Sequence, residues 1–97
     1  MAIVRVFRTR IVAAKRTEFE AKFSSVSVGS VSGAKGFVSA SIYKPTQWAP
    51  DEYAMISHWQ DRTSVEAFAG VEWNRAKIPQ GMEHLIEECW VHHYETW

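Results

Sequence analysis

Four stretches of this chain alternate apolar and polar residues, and two stretches between them repeat at helical spacing. No other feature limits the available folds as tightly. Residues 3 to 12, IVRVFRTRIV, are rich in β-branched side chains and put Ile3, Arg5, Phe7 and Thr9 on one face of a strand, with Val4, Val6, Arg8 and Arg10 on the other. In AAKRTEFEAKFSSV, Phe19, Phe23 and Val26 recur at helical spacing. Thr17 with Glu20 offers a capping box there, and a start one turn earlier at Ala14 is the alternative. Ser, Val and Gly disfavour helix interiors, so the weak run SSVSVGSVSGAKG ends the helix between Val28 and Val31. A second strand covers residues 36 to 43 (GFVSASIY) and a third runs from Tyr53 to Trp59. Asp61 and Gly70 are suited to cap a helix whose apolar positions are Val65, Phe68 and Ala69, and HLIEECWVHHYETW reads as a long final strand. The order β-α-β-β-α-β predicts an α+β, ferredoxin-like fold: a four-stranded antiparallel sheet with helices on one face.

Two short helices cover one face only, yet strands one to three carry apolar residues on both. Val4, Val6, Val38, Ala40, Ala54 and Ile56 therefore need a cover, and a second copy packed sheet to sheet is the simplest, which predicts a homodimer closing into an α/β barrel. At 97 residues the chain is expected to be one domain, residues 1–97. Its 11 basic and 11 acidic residues balance, giving no electrostatic handle on nucleic acid or an anionic membrane. No apolar run approaches the ~20 residues of a membrane span. The single Cys89 excludes an internal disulfide framework, and the first residues show no leader pattern, so a cytoplasmic location is the default.

Glycines 29, 33 and 36 match neither phosphate-loop pattern and follow a helix, where such loops follow a strand. His92 and His93 are neighbours on a strand and face opposite ways, while His58 and His84 lack carboxylate or thiolate partners at ligand spacing, so no metal site is expected. Glu87 and Glu88 diverge for the same reason, and no G-x-S-x-G elbow is present. Among five Trp, five Phe and three Tyr, one set stands apart: Trp59, Phe68 and Trp73 fall on consecutive elements beside Asn74, Arg75 and Lys77. They form either plain core or an apolar pocket ringed by charge. Arg5 adds to the second reading, because the face it shares with Phe7 is the one the helices cover.

The strand ending in ISHWQD, the helix SVEAFAG and the last strand LIEECWVHHYE together resemble the antibiotic biosynthesis monooxygenase family over nearly the whole chain. The resemblance implies a small dimeric ferredoxin-like protein whose ligand lies between helices and sheet. That ligand would meet Ile3, Arg5, Phe7, Tyr53, Met55, Ser57 and Trp59, with Phe37, Ser39, Ser41 and Tyr43 of strand two. Members include cofactor-independent monooxygenases acting on electron-rich aromatic polyketides or quinols with molecular oxygen, and heme-degrading enzymes. The heme branch's Asn, Trp and iron-binding His correspond here to Phe7, Phe68 and Lys77, and the polyketide branch's Asn corresponds to Met55; Trp59 alone carries over. The resemblance thus implies a cofactor-free monooxygenase of a small aromatic ligand, without metal and with heme as a secondary option. Trp59, Arg75, Lys77 and His84 are the candidate catalytic residues. Arg5, Phe7, Met55, Phe68, Trp73 and Asn74 are the candidate binding residues. Arg5, Arg75 or Lys77 would stabilise a phenolate, and His58 or His84 would act as base. A non-catalytic binding module of the same fold is the competing reading.

Overall fold

The computed structural model describes residues 2–76, 78 and 80–97. Its strands are β1 (Ile3–Ile11), β2 (Phe37–Tyr43), β3 (Glu52–Trp59) and β4 (Ile86–Glu95), all antiparallel in one sheet of order β2-β3-β1-β4. Helices α1 (Arg16–Lys22) and α2 (Val28–Ser32) are joined without a break by a π-helical turn, Phe23–Ser27, and α3 (Arg62–Ala69) follows β3. This is the ferredoxin-like β-α-β-β-α-β arrangement. β1 sits in the centre of the sheet because it pairs on both sides, Phe7 lying opposite Met55 of β3 and Val91 of β4.

The core lies between sheet and helices. Ile3, Phe7, Tyr53, Met55 and Trp59 from the sheet meet Phe19, Phe23, Val31 and Val65 from the helices, all buried. Phe19 stacks on Phe23 at 4.9 Å between centroids and leans on Tyr53 at 4.7 Å. Rings of this size supply most of the apolar area that a small domain can remove from water.

Local chemistry accounts for the ends of α3. Asp61 caps it, accepting from the Ser64 backbone N–H and from Ser64 Oγ, both at 2.8 Å. Gly70 ends it at φ 85°, where a glycine meets no side-chain penalty. The first helix departs from the capping-box expectation. It is entered through a 3-10 turn, Ala13–Lys15, so Thr17 lies inside it, and Glu20 accepts from Arg16 and Tyr53 instead. The earlier start is the one observed.

Strand two departs more consequentially. Phe37 pairs with Trp59, but Ser39 pairs with His58, so Val38 is an extra residue in a β-bulge. A bulge shifts side-chain parity by one. Ala40 and Ile42, opposite Ser57 and Met55, thus turn toward the helices, while Ser39, Ser41 and Tyr43 turn to the open face. The expectation that Ser39, Ser41 and Tyr43 face the ligand, and Ala40 the open side, is corrected by this one residue. The last strand is also shorter than expected, because Glu83–Leu85 forms a 3-10 turn that takes His84 out of the sheet.

Candidate functional site

A cavity opens between β1, β3 and the first helix, and its wall follows from the alternation of the strands. Arg5 and Phe7 of β1 and Met55 of β3 form the floor. Phe19, Phe23, Ser27, Ser30 and Val31 form the helical wall, and Phe68, Ile78, Met82 and Ile86 close the side. The π-helical turn lies on this wall, and Phe23 and Ser27, four residues apart on one face of it, are both buried. The free space proper is about 20 Å³, within an envelope of about 440 Å³ that includes the open mouth. The site is therefore closely packed in this conformation, and an occupant would displace side chains such as Phe23, Phe68 and Met82.

Polar groups in the wall are few. Ser30 Oγ donates to the Ser27 carbonyl at 2.7 Å, and Ser27 Oγ contacts Met82 Sδ at 3.5 Å. Arg5 is the charged member, 3% exposed. Its Nη1 donates to the Trp73 carbonyl at 2.8 Å and lies 2.9 Å from His93 Nε2, and its Nη2 donates to the Arg75 carbonyl at 3.4 Å. A guanidinium can only donate, so His93 Nε2 is the acceptor and the ring proton sits on Nδ1. Burial pulls the guanidinium down to about 10, still protonated near neutrality. Burial first, then the charge of Arg5 and the neighbouring His92, lowers His93 to about 4, which keeps it neutral and able to accept. Trp73 covers the pair, its ring 4.5 Å from that of His93.

The candidate residues separate by place. Arg5, Phe7, Met55 and Phe68 line the cavity together. Trp59 lies behind them, fully buried, between Phe37 and Phe68 at 5.7 and 5.1 Å, its Nε1 donating to Ser57 Oγ at 2.9 Å. Trp73 belongs to the cover over Arg5. The others lie apart from the cavity. Asn74 is exposed; Arg75 is exposed, its side chain 4.0 Å from Glu72, and reaches the site only through its carbonyl. His84 is on the surface, 3.0 Å from Glu18. His58 faces the open side of the sheet opposite Val4. Lys77 lies outside the described residues. His93 is absent from the sequence-derived candidates because the HH pair reads there only as a metal site; the usable signal is that one of two adjacent strand histidines must share a face with Arg5.

Among the described residues no three His, Cys, Asp or Glu side chains converge on a point that could hold a metal ion. The described lining also carries no imidazole or thiolate for heme iron, its sulfurs being the thioethers of Met55 and Met82. No helix is long and apolar enough to cross a membrane among the described residues.

A ferredoxin-like sheet with an apolar cavity beneath its helices is an arrangement shared by many small ligand-binding and oxygen-using proteins. The chain belongs to the antibiotic biosynthesis monooxygenase family, whose sequence pattern matches residues 2–72. No curated protein sequence matches it. Solved structures with the same fold include a conserved protein from Methanosarcina mazei Go1, 20% identical, covering 100% of this chain and 94% of that one with a TM-score of 0.73. SnoaB from Streptomyces nogalater, a cofactor-independent oxygenase solved as a point mutant, is 18% identical over 98% of this chain and 92% of its own, TM-score 0.70. The heme-degrader MhuD from Mycobacterium tuberculosis, solved with two hemes in its active site, is 15% identical over 97% and 94%, TM-score 0.71.

Proposed function

We propose that this protein is a cofactor-independent monooxygenase that uses molecular oxygen on an electron-rich aromatic small molecule, quinol-like or polyketide-like. The observation that carries the reading is a buried cation in an apolar cavity whose described wall holds no carboxylate. Such a site favours a bound aromatic anion, and an aromatic anion is the form that can pass an electron to oxygen. In the reaction the anion gives one electron to oxygen, the two radicals join at a ring carbon, and loss of water leaves a carbonyl. A methylene and one O2 thereby become a carbonyl and one water. The protein's part is to hold the ring against Phe7, Met55 and Phe68, to exclude water, and to balance the oxyanion with Arg5. Family membership and the likeness to an oxygenase of the same fold support this reading.

Oxygen uptake with a panel of anthrones and hydroquinones, each assayed below and above its own pKa, tests it: uptake well above a buffer control is expected where the compound is ionised, and none at any pH from protein shown to be folded would sink it. The competing reading, a binding module without turnover, gains from Met55 standing where the resemblance calls for Asn. It predicts saturable binding of the same compounds with no oxygen consumed. The lack of an imidazole in the described wall weighs against heme; a flat Soret titration is expected. The open face of the sheet supports a homodimer, because Val4, Val6, Ala54 and Ile56 are only partly covered within one chain.

A further inference from the structure

The cavity holds a strong anion partner but no described group that could remove a proton. Its described lining contains no carboxylate, no imidazole and no amine; besides Arg5 the side-chain polar groups are the hydroxyls of Ser27 and Ser30 and two thioethers. Ser30 spends its proton on a carbonyl of its own helix and Ser27 turns to Met82. His93 is the imidazole beside Arg5, and its Nε2 is occupied by the guanidinium, so it is spent as an acceptor. A guanidinium has five N–H groups, and among the described residues three of its contacts go to the Trp73 carbonyl, His93 and the Arg75 carbonyl. By that count two N–H groups are left over, although no buried side-chain nitrogen among the described residues lacks a partner, and the cation's described polar neighbours are neutral acceptors. A buried charge in that condition is costly, and an oxyanion is the partner that offsets the cost.

We propose that the cavity selects substrates that are already ionised in solution, acidic phenols and enols taken up as monoanions with the oxyanion on Arg5, and does not ionise a neutral substrate itself. His93 is a positioning residue in this scheme: with the Trp73 carbonyl it holds Nη1, while the Arg75 carbonyl holds Nη2. This inference rests on the oxygenase reading for its meaning but is tested by binding alone. Among the described residues, the charged side chains of α3 and the segment after it are engaged with one another: Arg62 with Glu66, and Arg75 with Glu72. From β3, the neighbour of Arg5 is Ser57, which does not titrate, and β4 contributes His93.

The experiment compares dinitrophenolate with dinitroanisole, the neutral methyl ether of the same ring, by isothermal titration calorimetry under nitrogen. The phenolate is expected to bind at least about tenfold more tightly, and Arg5→Met and Arg5→Gln are each expected to abolish the difference while the ether's affinity stays. Equal binding of both compounds by the wild-type chain overturns the inference whether or not the variants fold. So does a preference for the phenolate that survives in a folded Arg5 variant, since the anion would then sit elsewhere. Selective phenolate binding without oxygen uptake from any ionised quinol keeps this inference and removes the oxygenase reading. Rapid oxygen uptake with quinols that remain neutral in the assay does the reverse.

Discussion

At the scale of single residues the informative group is Arg5, His93 and the Trp73 carbonyl, three sites far apart in sequence whose polar atoms meet within 3 Å. The fold keeps His93 neutral, so its ordinary value near 6.5 drops to about 4. Between those two values the unfolded chain binds more protons than the folded one, and stability must therefore fall as the pH drops from about 6.5 to about 4. The ring is partly exposed, so the loss attributable to it is about 1 kcal/mol rather than the larger figure the full shift would imply. His93→Gln keeps an acceptor for Arg5 but cannot titrate; its melting temperature is expected to decline less steeply than that of the wild type across this window. Parallel pH profiles for the two would contradict the assignment. Arg5 itself was legible in the sequence, because an Arg alternating with Ile3 and Phe7 must share their covered face. His93 was not, because only the pairing of β1 with β4 shows that it stands opposite Arg5.

At the scale of elements, alternation and capping residues made most of the secondary structure readable: Asp61 and Gly70 bound α3 as their chemistry requires. What they could not reveal were interruptions that leave composition unchanged. The bulge at Val38 is one extra residue in a run of Val, Ser, Ala and Ile, and the π turn at Phe23–Ser27 is an extra residue in a helix already low in propensity. Gly36, just before β2, shows how closely these elements are fitted. It adopts φ 83°, and a methyl group placed on it would collide with Cβ and Oγ of Ser64 on α3. Gly36→Ala is expected to cost on the order of 2 kcal/mol, seen as a lower midpoint in denaturant. Part of that loss is steric. Pairing it with Ser64→Gly removes the clash but leaves the strained backbone, so the double variant should lose less than the sum of the two singles. Strict additivity would show that α3 already shifts to make room.

At the scale of the whole molecule, the ferredoxin-like fold was legible because antiparallel sheets with helices on one face leave few topologies for four strands and two helical segments. The open face was legible too, though its membership was not: Ala40 leaves it through the bulge, while Trp90, under Arg8 at 5.7 Å, joins it from β4. If two copies cover this face, Ile56→Lys should yield monomers that keep their secondary structure, measured by sedimentation equilibrium with circular dichroism. A wild-type chain that sediments as a monomer would leave the apolar face for some other cover. Trp59 carries a last consequence. It is sealed between two Phe rings with its indole N–H on a serine hydroxyl, whereas Trp48 and Trp97 are open to solvent. The emission spectrum should therefore be a composite, with a blue component that acrylamide does not reach and a red component that it quenches freely. The chain carries its own optical label at the back wall of the cavity, and the blue component would report any occupant that displaces Phe68.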